Sequence, residues 1–172
     1  MAHEHTQPAD YRFCPHCGTT MVPTSIDDTI RPKCPECGFV QYRDPAVAAA
    51  VVILDGNRVL MVRRGPGVAR TGYWSLPAGF VNEDEDVRAA AARELKEETG
   101  LDARIEEVLH VGSNLEDPTK PTVAIWFAGE ITGGNLQPND DAEEVGWFSL
   151  DSLPQLAFPG DSEVLANLGG GS

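Results

Sequence analysis

All four cysteines of this chain fall in two short knuckles, CPHCG at 14–18 and CPECG at 34–38, separated by 16 residues. Four thiolates at this spacing can close tetrahedrally around zinc, and the glycine after each pair lets the backbone turn beneath the metal. Four protein ligands leave no coordination position open, so the expected site is structural rather than catalytic, with Cys14, Cys17, Cys34 and Cys37 as ligands. His16, inside the first knuckle, reads as a bystander. Two disulfides or a redox pair form the rival reading, which needs an oxidising compartment. The opening MAHEHTQPAD has neither an apolar signal region nor a basic flank, so the expected location is the cytoplasm.

A small ribbon of this kind leaves the rest of the chain to build a core of its own. At 172 residues and 41% hydrophobic content, the chain suits one core of ordinary size with one small appendage. Asp44-Pro45 punctuates the sequence. The expected division is a disordered N-terminus at 1–10, a zinc ribbon at 11–44, the main domain at 45–168 and a linker-like tail at 169–172. From Ala46 the run AVAAAVVIL reads as a buried strand, DGN at 55–57 as a turn and RVLMVRR as the returning strand of a hairpin. A Gly/Pro-rich loop leads into YWSLPAGF, whose Pro77 and Gly79 predict a tight, irregular approach to a helix over 86–99. Val87, Ala90, Ala91 and Leu95 form that helix's apolar stripe, and Gly100 stops it. RIEEVLHVGS, TVAIWFAGEI and VGWFSL read as further strands, and DSEVLANL as a closing helix. Core packing is expected for Trp74, Trp126 and Phe127, with nucleobase stacking by one of them as the alternative.

The net charge of −14 argues against nonspecific nucleic-acid or anionic-membrane binding, both of which depend on Lys and Arg meeting phosphate. No apolar run approaches membrane-spanning length. With three lysines among 13 cations against 27 acids, the composition also suits a salt-rich cytoplasm, where ionic strength screens self-repulsion.

Against that background RELKEETGL, Arg93 to Leu101, crowds Glu94, Glu97 and Glu98 onto adjacent helical turns beside a helix C-terminus. Like charges at i,i+4 repel and the helix end is already partly negative, each effect about 0.3–1 kcal/mol on a solvated surface. A cation reverses both. At i, i+3, i+4 spacing the three carboxylates converge on one face, and hard oxygen ligands suit Mg2+ or Mn2+. Arg93, four residues before Glu97, can orient that carboxylate.

Reading outward, Gly79 is followed after five residues by Glu85 and after seven more by Arg93-Glu94-Leu95, then Glu97-Glu98, Gly100 and Leu101. This pattern resembles the Nudix box of the Nudix hydrolases at every defining position. The resemblance implies an α+β fold, a Nudix α/β/α sandwich with a mixed sheet, preceded here by the ribbon. It implies Mg2+- or Mn2+-dependent hydrolysis of a nucleoside diphosphate linked to another moiety, with the carbonyl of Gly79 or its neighbour completing the metal site. Glu85 is then either a partner of the helix N-terminus or an orienter of the metal site. Some families use a further Glu before the last strand, for which NDDAEEVGWF offers Glu143 and Glu144, with Glu144 preferred. Arg64, at the end of the second strand, matches a place where family members put a phosphate-binding basic residue; Arg63 is beside it.

A ribbon before a Nudix domain is similar to the NADH pyrophosphatases, yet their Ser-Gln-Pro-Trp-Pro-Phe-Pro stretch is absent from HVGSNLEDPTKPTVAIW. Arg12 to Leu168 is more similar to short ribbon-bearing Nudix proteins, among them plant enzymes hydrolysing FAD and ADP-ribose, and Pro118 lies near a proline typical of ADP-ribose pyrophosphatases. The expected substrate is therefore a small-molecule nucleotide, ADP-ribose or FAD ahead of NADH, cleaved to AMP and a phosphorylated product. The alternatives are an NADH pyrophosphatase and a non-catalytic nucleotide-binding or regulatory module. The resemblance further implies a homodimer to which the ribbon contributes.

Overall fold

The computed structural model describes residues 10–114 and 120–169. The expected disorder of the extreme N-terminus, most of the linker-like tail, and Pro118 lie outside the described residues. Two compact units emerge, one holding 10–45 with 120–121 and the other 46–114 with 122–169. Among the described residues no helix is long and apolar enough to cross a membrane.

In the smaller unit, β1 (Val22–Ile26) and β2 (Thr29–Lys33) pair antiparallel from Val22↔Lys33 to Ile26↔Thr29. Asp27 and Asp28 make the turn with φ of 48° and 60°, the left-handed pair that a two-residue hairpin demands and that Asp tolerates. Cys14, Met21 and Cys34 are buried, with Phe39 packed against them. So few apolar residues make a very small core, and the cysteine cluster must carry much of its stability.

The larger unit is built on a seven-stranded mixed sheet. Its strands are β3 (Ala46–Asp55), β4 (Arg58–Arg64), β5 (Trp74–Ser75), β6 (Ala78–Phe80), β7 (Leu101–Asn114), β8 (Thr122–Gly134) and β9 (Ala142–Ser149). The order is β5-β4-β3-β8-β7, with β6 also on β3 and β9 also on β4. The expected hairpin exists only at its tip, where Leu54 faces Val59 and Asp55 faces Arg58. Beyond the tip the strands part: β3 runs parallel to β8 from Ala46↔Thr122 to Ile53↔Gly129, while β4 pairs with β9. The two short strands β5 and β6 lie within the stretch that sequence alone reads as irregular.

Helices cover both faces. Ala49, Val51 and Ile53 pack with Ala90, Ala91 and Leu95 of α1 (Val87–Thr99), whereas the alternating Ala50 and Val52 pack with Val164 and Leu165 of α2 (Pro159–Gly169). A strand buried on both faces has no polar side, which explains the unbroken apolar run of β3. Each Val, Leu, Ile or Phe so buried contributes roughly 1.5–3 kcal/mol. Trp126 and Phe127, neighbours on β8, divide between the two faces and are 6% and 0% exposed, so neither is available to a nucleobase. Trp74 makes an edge contact with Phe148, ring centroids 4.5 Å apart.

The helix that carries the acidic cluster is fixed at both ends. Asp86, in extended conformation, accepts hydrogen bonds from the N–H groups of Arg88 (2.9 Å) and Ala89 (3.3 Å), a cap worth about 1 kcal/mol. Gly100 ends the helix at φ 73°, where its N–H donates to the Lys96 carbonyl at 2.9 Å. The stripe is as expected, with Ala90, Ala91 and Leu95 fully buried and Val87 packed at the edge of the same cluster.

Candidate active site

Between β5 and α1 the chain passes under the acidic face of the helix, and almost every residue of that passage is held. The Pro77 carbonyl accepts from Val51 N–H at 2.9 Å, the Ala78 N–H donates to Glu98 Oε2 at 3.0 Å, and the Phe80 carbonyl accepts from Arg93 Nη2 at 3.0 Å. Gly79, between them, lies directly beneath the Glu94 carboxylate: a Cβ there would stand 2.0 Å from Glu94 Cδ. This glycine is required by a close approach rather than by an unusual φ. Its place leaves the 78–80 backbone against the carboxylates, as a carbonyl ligand must be.

Arg93 organises the group. Its Nε donates to Glu85 Oε1 (2.7 Å) and Nη2 to Glu85 Oε2 (2.9 Å), a bidentate pair, while Nη1 reaches Glu94 Oε1 (2.6 Å) and Glu97 Oε2 (2.9 Å). Glu85 therefore does not cap the helix, a task that Asp86 performs; it grips the arginine. Those hydrogen bonds from Arg93, with others from Asn82, hold the Glu85 carboxyl down at about 2, well below the ordinary 4.5, and the same acids keep Arg93 firmly protonated.

Glu94 and Glu98 are different. Glu98 is 3% exposed, and burial, followed by the charge of Asp141, pushes its carboxyl well above the ordinary value; the Ala78 N–H and the Arg64 charge only partly oppose this. Burial likewise raises Glu94, against the pull of Arg93, with Glu97 and Asp141 adding to the rise. Desolvating such a carboxylate costs several kcal/mol unless a cation faces it. An oxygen-only donor set with unfavourable buried charge at Glu94 and Glu98 fits a hard divalent cation, which Glu94, Glu97, Glu98 and the carbonyl of Gly79 or its neighbour could hold.

The other candidates from the sequence lie around this centre. Glu144 faces Arg63 across the β4–β9 ladder, and Arg63 Nη2 donates to Glu144 Oε2 at 2.9 Å, with Glu143 at 3.6 Å from Nη1. The acid of that loop whose charge reaches Glu94 and Glu98 is Asp141, which sequence reading passed over because it is farther from the strand. The loop is folded back on α1: Gln137 and Asn139 N–H donate to the carbonyls of Thr99 (3.0 Å) and Glu98 (3.1 Å), and the Asp141 carbonyl accepts from Gly65 N–H at 2.8 Å. A readable signal was the helix C-terminus itself, whose open carbonyls need donors from somewhere. Arg64 Nε donates to the Ala69 carbonyl at 2.7 Å and its guanidinium lies over the Phe158 ring at 5.1 Å, near enough for its charge to act on Glu98.

In the smaller unit the Sγ atoms of Cys14 and Cys37, and of Cys17 and Cys34, are 3.5 Å apart, and all four lie within 4.8 Å of one another. The edge of a tetrahedron with metal–sulfur bonds of about 2.3 Å is about 3.8 Å, so the cluster fits a zinc ribbon. The four cysteines are free of disulfides. Gly18 and Gly38 take φ of 74° and 79° and close the knuckles by donating to the carbonyls of Cys14 and Cys34.

The family profile described as NUDIX domain matches residues 44–168, and the chain belongs to that family. It is 40% identical over 118 residues to the ADP-ribose pyrophosphatase of Methanocaldococcus jannaschii, covering 68% of this chain and 69% of that one. It is 34% identical over 146 residues to the NAD-capped RNA hydrolase NudC of Pseudomonas aeruginosa, 84% of this chain but 50% of the relative, so it spans about half the length of that relative. Among solved structures, a NUDIX hydrolase from Nitrosomonas europaea superposes with a TM-score of 0.78 at 28% identity, covering 90% of this chain and 88% of the other. An ADP-ribose pyrophosphatase from Streptococcus suis gives 0.59 at 25%, covering 75% and 95%.

Proposed function

We propose that the chain is a Mg2+- or Mn2+-dependent pyrophosphohydrolase that splits a nucleoside diphosphate linked to another moiety, ADP-ribose or FAD ahead of NADH, into AMP and a phosphorylated product. The observation that carries this reading is the set of acids held against one stretch of backbone, Glu94 over Gly79 and Glu98 on the Ala78 N–H, with Glu97 sharing Arg93 with Glu94 and with Glu94 and Glu98 raised by burial. Bound there, divalent ions supply charge neutralisation for the diphosphate and activation of the attacking water. The protein's own part is positional. Glu85 fixes Arg93; Arg93 sets the oxygens of Glu94 and Glu97; Ala78 N–H sets Glu98. Asp141 supplies the carboxylate of the loop before β9, in preference to Glu144, whose oxygen is engaged by Arg63. Arg64 stands on the same side and serves a phosphate oxygen. The four-cysteine cluster holds structural zinc.

ADP-ribose takes precedence because the relative of that name aligns over two thirds of both chains. The NudC relative supports NADH as the second substrate, free or at the end of an RNA; with a net charge of −14 the chain has little to hold an RNA backbone, so the free dinucleotide is favoured. A panel of ADP-ribose, FAD and NADH, each with Mg2+ or Mn2+ and with products identified, tests the reading. AMP from one or more is the expected result; cleavage of none would leave a nucleotide-binding module in its place.

A further inference from the structure

Asp161 is 3% exposed on the first turn of α2, and no step of the proposed reaction uses it. Its two oxygens are both occupied by donors from elsewhere in the fold: Oδ1 accepts from Trp126 Nε1 at 2.8 Å and Oδ2 from the Leu76 N–H at 3.1 Å. The preceding residue completes the arrangement, since a Cβ at Gly160 would stand 2.5 Å from Trp126 Cη2. Glycine admits the indole against the helix and the aspartate takes its N–H. Leu76 begins the passage whose next residues bear on the acidic helix, Pro77 through Val51, Ala78 through Glu98, Gly79 beneath Glu94 and Phe80 through Arg93. Leu76 packs beside Val164 and Leu165 of α2, and Asp161 adds the hydrogen bond that fixes its backbone to the helix on the other face of the sheet.

We propose that Asp161 is a positioning residue for the metal site, fixing the 76–79 backbone so that the Ala78 N–H holds its place against Glu98 and Gly79 its place beneath Glu94. The proposal rests on the reading of Glu94, Glu97 and Glu98 as ion-binding acids. The chemistry of the contact makes a sharp test. Asparagine has the same shape but one acceptor, so in Asp161→Asn the amide N–H2 must face one of two N–H donors and a buried donor is left unpaired. Burial holds the Asp161 carboxyl up at about 6, so at pH 8 the native residue is ionised and offers both oxygens.

The experiment measures Mn2+ affinity by calorimetry at pH 8, together with the Mn2+ concentration for half-maximal turnover of ADP-ribose. Asp161→Asn should weaken Mn2+ binding about tenfold and raise the activating concentration by the same factor, as loss of a supporting contact behind a metal ligand does. Asp161→Ser, whose hydroxyl accepts one of the two bonds, should move both in the same direction and serves if the asparagine variant fails to fold. Leu165→Ala, in the core under the same helix, is less stable but should bind Mn2+ like the native chain. Trp126→Phe, which spares the bond to Leu76, should stay within about threefold. Native affinity in both Asp161 variants overturns the proposal, as does an equal loss in Leu165→Ala. Absence of Mn2+ binding by the native chain would instead overturn the reading on which it stands.

Discussion

Replacing Gly79 by alanine probes the centre of the site without replacing any proposed side-chain ligand. The new Cβ would stand 2.0 Å from Glu94 Cδ and 2.2 Å from Oε1, whereas ordinary contacts begin near 3.4 Å. The carboxylate must retreat by about 1.4 Å, the difference between those two distances, and its 2.6 Å bond to Arg93 breaks with it. A displacement of about 1 Å at a reacting centre costs on the order of 10²-fold in rate, so kcat/KM should fall by about 10²–10³, or about 2.7–4 kcal/mol in transition-state stabilisation. Stability should change less. The atoms that must move end a side chain rather than a backbone, which places the cost near the low end of the ~1–3 kcal/mol range for overpacking.

Steady-state release of AMP from ADP-ribose gives the first number and thermal unfolding the second. The cause is isolated by a cycle with Glu94→Ala, in which the carboxylate is already gone: there the alanine at 79 should add almost nothing, and the coupling energy should equal nearly the whole effect of Gly79→Ala alone. Native turnover in Gly79→Ala would refute the reasoning. So would an equal loss in both backgrounds, which would assign the damage to the backbone.

Glu97→Gln and Glu98→Gln should each lower kcat by several powers of ten with a native circular dichroism spectrum, since each removes a charged oxygen from the ion's reach; near-normal turnover in either refutes its assignment. Cys34→Ser should destabilise the smaller unit, and metal analysis of reduced native protein should find one zinc per chain. Glu85→Gln should give a pH-dependent stability difference. The native carboxyl is held at about 2 against an ordinary 4.5, so its stabilisation is present above the ordinary value and is lost as pH falls through about 2. Chemical unfolding of both proteins between pH 7 and pH 2 should show the gap closing, and a gap constant with pH would refute the pairing with Arg93. Unfolding midpoints should rise from low to molar KCl if excess negative charge strains the fold.

The elements most legible from sequence were those whose signals are local. The α1 helix announced its start, stripe and stop through Asp86, Ala90, Ala91, Leu95 and Gly100, each acting within a turn or two. The four cysteines likewise declared a closed cluster by spacing alone. What stayed hidden depends on contacts distant along the chain. Nothing in RVLMVRR says that it leaves β3 after two pairs to join β9, because its partners, from Ala142 for Arg64 to Ser149 for Arg58, are far downstream. Glu144 is the loop acid that nearness to the strand singles out; strand register sets it opposite Arg63, while the charge that bears on Glu94 and Glu98 is that of Asp141, in a loop that turns back to satisfy the end of α1. Asp161 gave no sign at all, since its meaning resides in two donors, 85 and 35 residues away.

The arrangement of Arg93 bears on why an acid-rich chain would keep so crowded a helix. The five N–H groups of the guanidinium all have acceptors: two on Glu85, one each on Glu94 and Glu97, and the Phe80 carbonyl. Arg93 thus has no donor left for Glu98, which is the most buried acid of the set and, among the described residues, accepts from the Ala78 N–H. The Arg93 charge against Glu85, Glu94, Glu97 and Glu98 leaves a deficit of three when all are ionised, to which Asp141 adds and which Arg64 partly offsets at Glu98. Repulsion of that size in a desolvated place would ordinarily be relieved by protonation, the direction in which Glu94 and Glu98 already shift. A divalent cation relieves it without the proton, and in doing so converts the same repulsion into affinity. Protons and the ion therefore compete for these oxygens, and Mn2+ affinity measured by calorimetry should weaken as the pH is lowered. If it does not, the raised carboxyls are not the groups that the ion meets.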